Sequence, residues 1–206
     1  MKREEKSALS RQRILEAAAR EFAQKGYDAA SLNVICAEND LSKGIIYHYF
    51  KDKDELYLLC VTECFEKLTA SLESASASEA DCIECQLRRY FDARLRFFAD
   101  HPVYLGLFMT TALYPPAHLA AELARARMPF DRLNISVLTR LLENTPLRSG
   151  LTAAAVVEDF RMYMDYFNAR FRSALTNAEN PQQALRDHEE RCHRQLDLLL
   201  HGVLEK

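Results

Sequence analysis

Glycine is scarce in this chain, five among 206 residues, beside six prolines. Glycines this sparse argue against a sheet-rich fold, whose many tight turns draw on positive φ. No run of eighteen or more apolar residues occurs, so no segment is expected to span a membrane. The opening residues, Met1-Lys-Arg-Glu-Glu-Lys6, are charged and lack the apolar core of a secretory signal, from which a cytoplasmic location is expected. Absent too are the Gly-x-Ser-x-Gly, Walker, dinucleotide-binding and His-Glu-x-x-His patterns. Nothing therefore supports an enzyme, and no catalytic residue, metal ligand or cofactor is assigned.

What is present describes a compact helical protein. Apolar residues make up 49% of the chain, enough to bury a core. Six cysteines, at 36, 60, 64, 82, 85 and 192, do not call for disulfides in a chain of this size, and most are expected to be packing residues. The net charge is -3, yet it is unevenly spread: residues 1–55 hold ten basic and ten acidic residues, so the whole excess of acid lies beyond them.

The stretch from Ser31 to Lys51 organises the chain. Ser31 is placed to cap a short helix with its hydroxyl, and Leu32, Ile35 and Cys36 share one face. Asn39 and Asp40 suit a sharp reversal, since both tolerate the left-handed conformation, and Leu41 follows as an apolar plug. Ser42 then caps a second helix in which Ile46 and Phe50, four apart, face inward. Lys43, Gly44, Tyr47 and His48 are left as a basic, hydroxyl-bearing surface. Two helices joined this way form a helix-turn-helix, whose second helix enters the major groove of DNA. Ser31, Ser42, Lys43, Gly44, Ile45, Tyr47, His48 and Lys51 are the expected DNA contacts, with Lys43 and Ile45 bearing on sequence choice.

Residues 9–58 resemble the DNA-binding domain of the TetR (tetracycline repressor-like) family of bacterial transcription regulators. The resemblance rests on Ile14-Leu15 through Phe22 to Gly26-Tyr27, on Leu41-Ser42-Lys43-Gly44, on Tyr47-His48-Tyr49-Phe50, and on Lys51-Asp-Lys53-Asp-Glu55-Leu56. Asp40 departs from the glycine common in the family's turn, and Cys36 from a common alanine. The resemblance implies an all-α protein with an N-terminal three-helix DNA-binding domain, residues 1–51, and a C-terminal helical ligand-binding and dimerisation domain, residues 52–206. It further implies a homodimer on palindromic operator DNA, released by a small, largely apolar effector.

Along the rest of the chain, an apolar face of Leu9, Ile14, Leu15, Ala18 and Phe22 predicts a first helix over residues 7–25, closed by Gly26 in a left-handed cap, with Arg11 and Arg13 in solvent. Asp52 and Glu55 form a capping box that opens a helix to about residue 71, with Leu56, Leu59, Cys60, Cys64, Phe65 and Leu68 on its inner face. Further helices are expected over 80–99, 103–113, 117–143 with a bend or restart at Pro129, 152–175 and 181–200. The last two carry broad apolar faces, Val156 to Phe171 and Leu185 to Leu200, which suit a four-helix interface between two copies.

A ligand pocket in the C-terminal region is assigned to Phe97, Tyr104, Phe108, Met109, Tyr163 and Phe167, with Arg94 and His101 as polar anchors. An alternative reading takes Cys60, Cys64, Cys82 and Cys85 as a thiol or metal sensor on the same scaffold. A third takes the chain as a helical enzyme or carrier without DNA function. Glu190 and His193 are spaced as in di-iron bundles, but the second pair such a site requires is missing.

Overall fold

The computed structural model describes residues 3–39, 43–76, 83–143, 145–175 and 181–203. Among them every regular element is a helix: α1 Arg3–Ala29, α2 Leu32–Glu38, α3 Lys43–Tyr49, α4 Lys53–Ala75, α5 Ile83–Asp100, α6 Pro102–Leu113, a 3-10 turn Ala117–Leu119, α7 Ala120–Glu143, α8 Ala153–Leu175 and α9 Pro181–Val203. The chain is all-α, as expected. No helix among the described residues is long and apolar enough to cross a membrane.

Contacts divide the chain into two interleaved units, one of Met1–Lys67 with His101–Met128, the other of Leu68–Asp100 with Pro129–Lys206. These packing units are a different partition from the division expected between residues 51 and 52.

In the first unit α1 lies along α6 and braces α2 and α3. Ile14, Ala18 and Phe22 of α1, Ile35 of α2, Ile46 and Phe50 at α3, and Leu56, Tyr57 and Val61 of α4 are all at most 1% exposed. The Tyr57 ring meets Phe22 edge-on at 5.0 Å, and its hydroxyl is 2.9 Å from that of Thr111 on α6. Leu9 is 52% exposed and stands outside the apolar face assigned to it, because a spacing of five from Ile14 does not share one helical face. Arg11 sits over the Phe50 ring at 5.2 Å, a cation–π contact where solvent was expected.

Gly26 interrupts α1 with φ 71 and ψ 176. Its φ is positive, as its position predicts, but the extended ψ belongs to a region that is essentially glycine's alone and not to a left-handed cap. Gly106 serves a different end: a Cβ there would stand 2.9 Å from the Cβ and 3.0 Å from the carbonyl oxygen of Ala23. Its missing side chain lets α6 cross α1 at close range, where Thr110 Oγ1 donates to the Phe22 carbonyl at 3.3 Å.

In the second unit Leu68 and Leu72 of α4, Leu87, Tyr90 and Phe98 of α5, Val137, Leu138, Leu141 and Leu142 of α7, and Val156 and Cys192 of α8 and α9 supply the core. Tyr90 Oη donates to Asn134 Oδ1 at 2.6 Å, and Arg140 donates to the Ser76 carbonyl at 3.1 Å, closing the end of α4. α4 runs a turn past the expected residue 71, and α7 continues through Pro129 as one helix without restarting. Residues 40–42 and 77–82, and the side chains of Met164, Phe171, Leu185, Leu196 and Leu200, lie outside the described parts.

His188 on α9 is 8% exposed, stacked on Phe167 at 4.8 Å, with Cys192 Sγ 3.5 Å from its Nε2. Burial, then Arg94 and Arg191, pushes its pKa down to about 3.

Gly106→Ala is expected to destabilise the protein by about 1–3 kcal/mol in chemical denaturation. Ala23→Gly should recover only part, because the carbonyl clash persists. His188 gives a second expectation. The folded protein holds it neutral, so its contribution is complete above about pH 6.5 and fades as pH falls toward 3. Wild type should lose about 2 kcal/mol more than His188→Gln between about pH 6.5 and 4.5, measured by urea unfolding at both values. Parallel losses would exclude a buried neutral imidazole.

Candidate nucleic-acid interface

The expected recognition helix, α3, is rooted by Ile46 and Phe50, both 1% exposed, which fixes the face it turns outward. On that outer face Tyr47 is 57% exposed, and Gly44 and His48 are exposed beside it. Ile45 is half-buried. Tyr49 is tied inward, its hydroxyl accepting a hydrogen bond from Ser7 Oγ at 3.1 Å. Lys43 lies in the helix, and Ser42 falls outside the described residues.

α1 supplies the polar groups that set the rest of the motif. Ser31 has extended φ/ψ of -123° and 122°, as an N-cap residue should, but its hydroxyl makes no capping bond. Instead its N–H donates to the buried carboxylate of Glu21 at 3.1 Å, so an acid from a neighbouring helix does what a capping box would do locally. Asn39 keeps φ at -122°, not the left-handed value the turn was expected to use. Its side chain stabilises the reversal, with Nδ2 donating to the Ile35 carbonyl at 2.9 Å and Oδ1 accepting from Arg20 at 3.1 Å.

After α3 the chain turns at Lys51, whose side chain is 86% exposed and 3.7 Å from Asp52. Asp52 Oδ1 accepts the Glu55 N–H at 2.9 Å, the first half of the expected capping box. The second half reaches one residue farther back: Glu55 Oε2 accepts the N–H of Lys51 at 2.6 Å. That bond fixes the backbone of the last expected DNA-contacting residue. Lys53 turns away toward α1, over the Tyr27 ring at 4.6 Å and donating to the Asp28 carbonyl at 3.3 Å.

Tyr27, Asp54 and His118 close the same corner. Tyr27 Oη donates to Asp54 Oδ1, and His118 Nε2 stands 3.2 Å from Asp54 Oδ2. The Tyr27 hydrogen bond, more than His118, holds the Asp54 carboxyl below its ordinary range. Burial and the same acid push the Tyr27 phenol up. No local signal links His118 to this corner.

Residues 14–60 match the family described as bacterial regulatory proteins, tetR family. A helix-turn-helix transcriptional repressor of Mycobacterium tuberculosis is 37% identical over 67 residues, 32% of this chain and 36% of that protein. The chain as a whole matches a putative TetR-family regulator from Mesorhizobium loti with TM-score 0.67, 20% identity and 100% of both chains covered. FadR from Bacillus subtilis, solved with stearoyl-CoA, has TM-score 0.64 at 14% identity, covering 87% of this chain and 95% of that one. Residues 14–60 are a TetR-family helix-turn-helix domain. The chain spans between 30% and 55% of the length of the curated relatives it matches.

The eight residues assigned to a pocket fall in both units. In the first, His101 precedes α6 and Tyr104 bridges Glu63 at 3.1 Å and Lys67 at 2.6 Å. Phe108 lies 5.8 Å from Phe65, and Met109 is buried. In the second, Arg94 stands over Phe91 at 5.1 Å and Phe97 is buried. Tyr163, Phe167 and His188 form a near-parallel stack at 5.9 and 4.8 Å.

Cys60 and Cys64 are at most 2% exposed, and their thiols donate to the carbonyls of Leu15 and Tyr104 at 3.6 Å. Burial pushes Cys64 up to about 12 and Cys60 up as well, which leaves almost no thiolate to react. Cys85 is exposed on α5, and Cys82 lies outside the described residues.

Lys51→Ala is expected to weaken binding to all duplexes alike and to lower the slope of log K against log salt by about 1. Fluorescence anisotropy across a salt series checks this, and an unchanged slope would remove Lys51 from the contact set.

Proposed function

We propose that this chain is a homodimeric transcriptional repressor that binds palindromic operator DNA and releases it on binding a small, largely apolar effector. The observation carrying this reading is the recognition helix itself. Its inner side is locked by Ile46 and Phe50 while Gly44, Tyr47 and His48 stand exposed, with Lys51 just beyond. Side chains of this kind suit phosphate oxygens and base edges, and the absence of side-chain bulk at Gly44 lets a sugar–phosphate backbone approach.

On this reading residues 1–51 are the DNA-binding domain and residues 52–206 hold the effector and the dimer contact. Ser31, Ser42, Lys43, Gly44, Ile45, Tyr47, His48 and Lys51 meet DNA. Supporting a dimer through α8 and α9 are Met162 and Tyr166, 57% and 60% exposed one turn apart on α8, and Leu198, 60% exposed on α9. Two recognition helices about 34–36 Å apart would enter successive major grooves. An effector that favours another spacing needs a coupling of about 1–3 kcal/mol to act as an inducer. Within the second unit, Phe97, Tyr163 and Phe167 suit such an effector, with Arg94 as a polar partner; within the first, Phe108 and Met109 offer the same chemistry beside His101 and Tyr104. A thiol sensor is less favoured, because Cys60 and Cys64 are spent on buried hydrogen bonds.

A gel shift on the intergenic duplex beside its own gene, against random-sequence competitor, tests the reading. Specific retardation with a two-to-one protomer-to-site ratio is expected, and stearoyl-CoA, the ligand in the FadR structure, is a first probe for release. Equal affinity for competitor, or a monomer in analytical ultracentrifugation at micromolar concentration, would overturn it. Cys82→Ser with Cys85→Ser should leave both binding and release unchanged.

A further inference from the structure

We propose that His118 is a positioning residue for DNA binding: from the 3-10 turn before α7 it clasps Asp54 and Tyr27, and so fixes the corner where the recognition helix passes into α4. The inference rests on the DNA-binding reading above and adds a residue 64 positions away from its carboxylate partner.

The geometry is specific. Asp54 is the second residue of α4; its Oδ1 accepts from Tyr27, and its Oδ2 faces His118 Nε2 at 3.2 Å. The same nitrogen is 3.5 Å from Tyr27 Oη, and the two rings meet edge to face at 5.4 Å. A carboxylate only accepts, so Nε2 carries a proton. One residue on, Glu55 holds the Lys51 N–H at 2.6 Å, and Asp52 holds the Glu55 N–H at 2.9 Å. Three short links therefore run from His118 through the first turn of α4 to the backbone that leaves α3.

The clasp is also open to solvent. The His118 and Asp54 side chains are 54% and 37% exposed, and pairs this wet add little to global stability. Its effect is then local, on the corner. The groups facing it are Tyr27 and Asp28 from the end of α1, and Lys51, Asp52, Lys53 and Asp54 from the approach to α4. Farther along its own chain, Glu122 is taken by Arg125 at 2.7 Å.

The test uses full-length protein and the intergenic duplex with random competitor. His118→Ala should bind about three- to fivefold more weakly than wild type. His118→Gln keeps a donor and should match wild type within about twofold. Placed on Asp54→Asn, His118→Ala should have no further effect. Equal affinity of wild type and His118→Ala would overturn the proposal. So would a loss of binding matched by an equal loss of folded protein, read by circular dichroism on the same samples. Wild type that binds no duplex would instead defeat the DNA-binding reading itself, and this proposal with it.

Discussion

Where α6 crosses α1, a glycine faces an alanine and two backbones come within the reach of a hydroxyl hydrogen bond. Much of the first unit follows from that crossing. It locates α1, and α1 in turn distributes the polar contacts that shape the motif: Glu21 to the start of α2, Arg20 to the turn, Ser7 to Tyr49 and Arg11 to the Phe50 ring. α2 and α3 have seven residues each, too few to be stable helices alone. Their conformation is therefore inherited from packing, and the direction of α3 is in effect a property of α1.

The electrostatics are economical. With equal numbers of acids and bases, residues 1–55 gain little from long-range attraction to DNA, so on the proposed reading binding must come from placement. Asp52, Asp54 and Glu55 add acid close to the expected phosphate track, yet each is engaged: Asp52 and Glu55 by backbone N–H groups, Asp54 by Tyr27 and His118. Accepting these bonds disperses carboxylate charge into the helix terminus instead of presenting it to a polyanion.

Most of the architecture was legible in the sequence because its signals are local. The 3.6-residue spacing of Ile14, Ala18 and Phe22, the Asp52–Glu55 pair, and the prolines at 102, 115 and 116 each act within a turn or two of chain, and each predicts what is found. The positive φ of Gly26 was legible for the same reason, though its ψ was not. What stayed hidden depends on partners distant in sequence. Ser31 looks like a hydroxyl cap until Glu21 is seen to take over its N–H. Arg11 looks solvated until Phe50 is seen beneath it. His118 and His188 carry no motif, and their environments exist only once the helices are assembled. The thiols at 60 and 64 share a spacing with sensor cysteines, and only burial identifies them as packing residues.

Pro129 has no amide hydrogen, so the carbonyl of Arg125 loses its helical donor midway along α7. One rung of the α7 ladder is thus missing close to Met128 and Pro129, where the chain leaves one packing unit for the other. The helix is thinnest in hydrogen bonds where its two halves answer to different cores. In amide exchange the residues around Pro129 would be the least protected of the interior of α7.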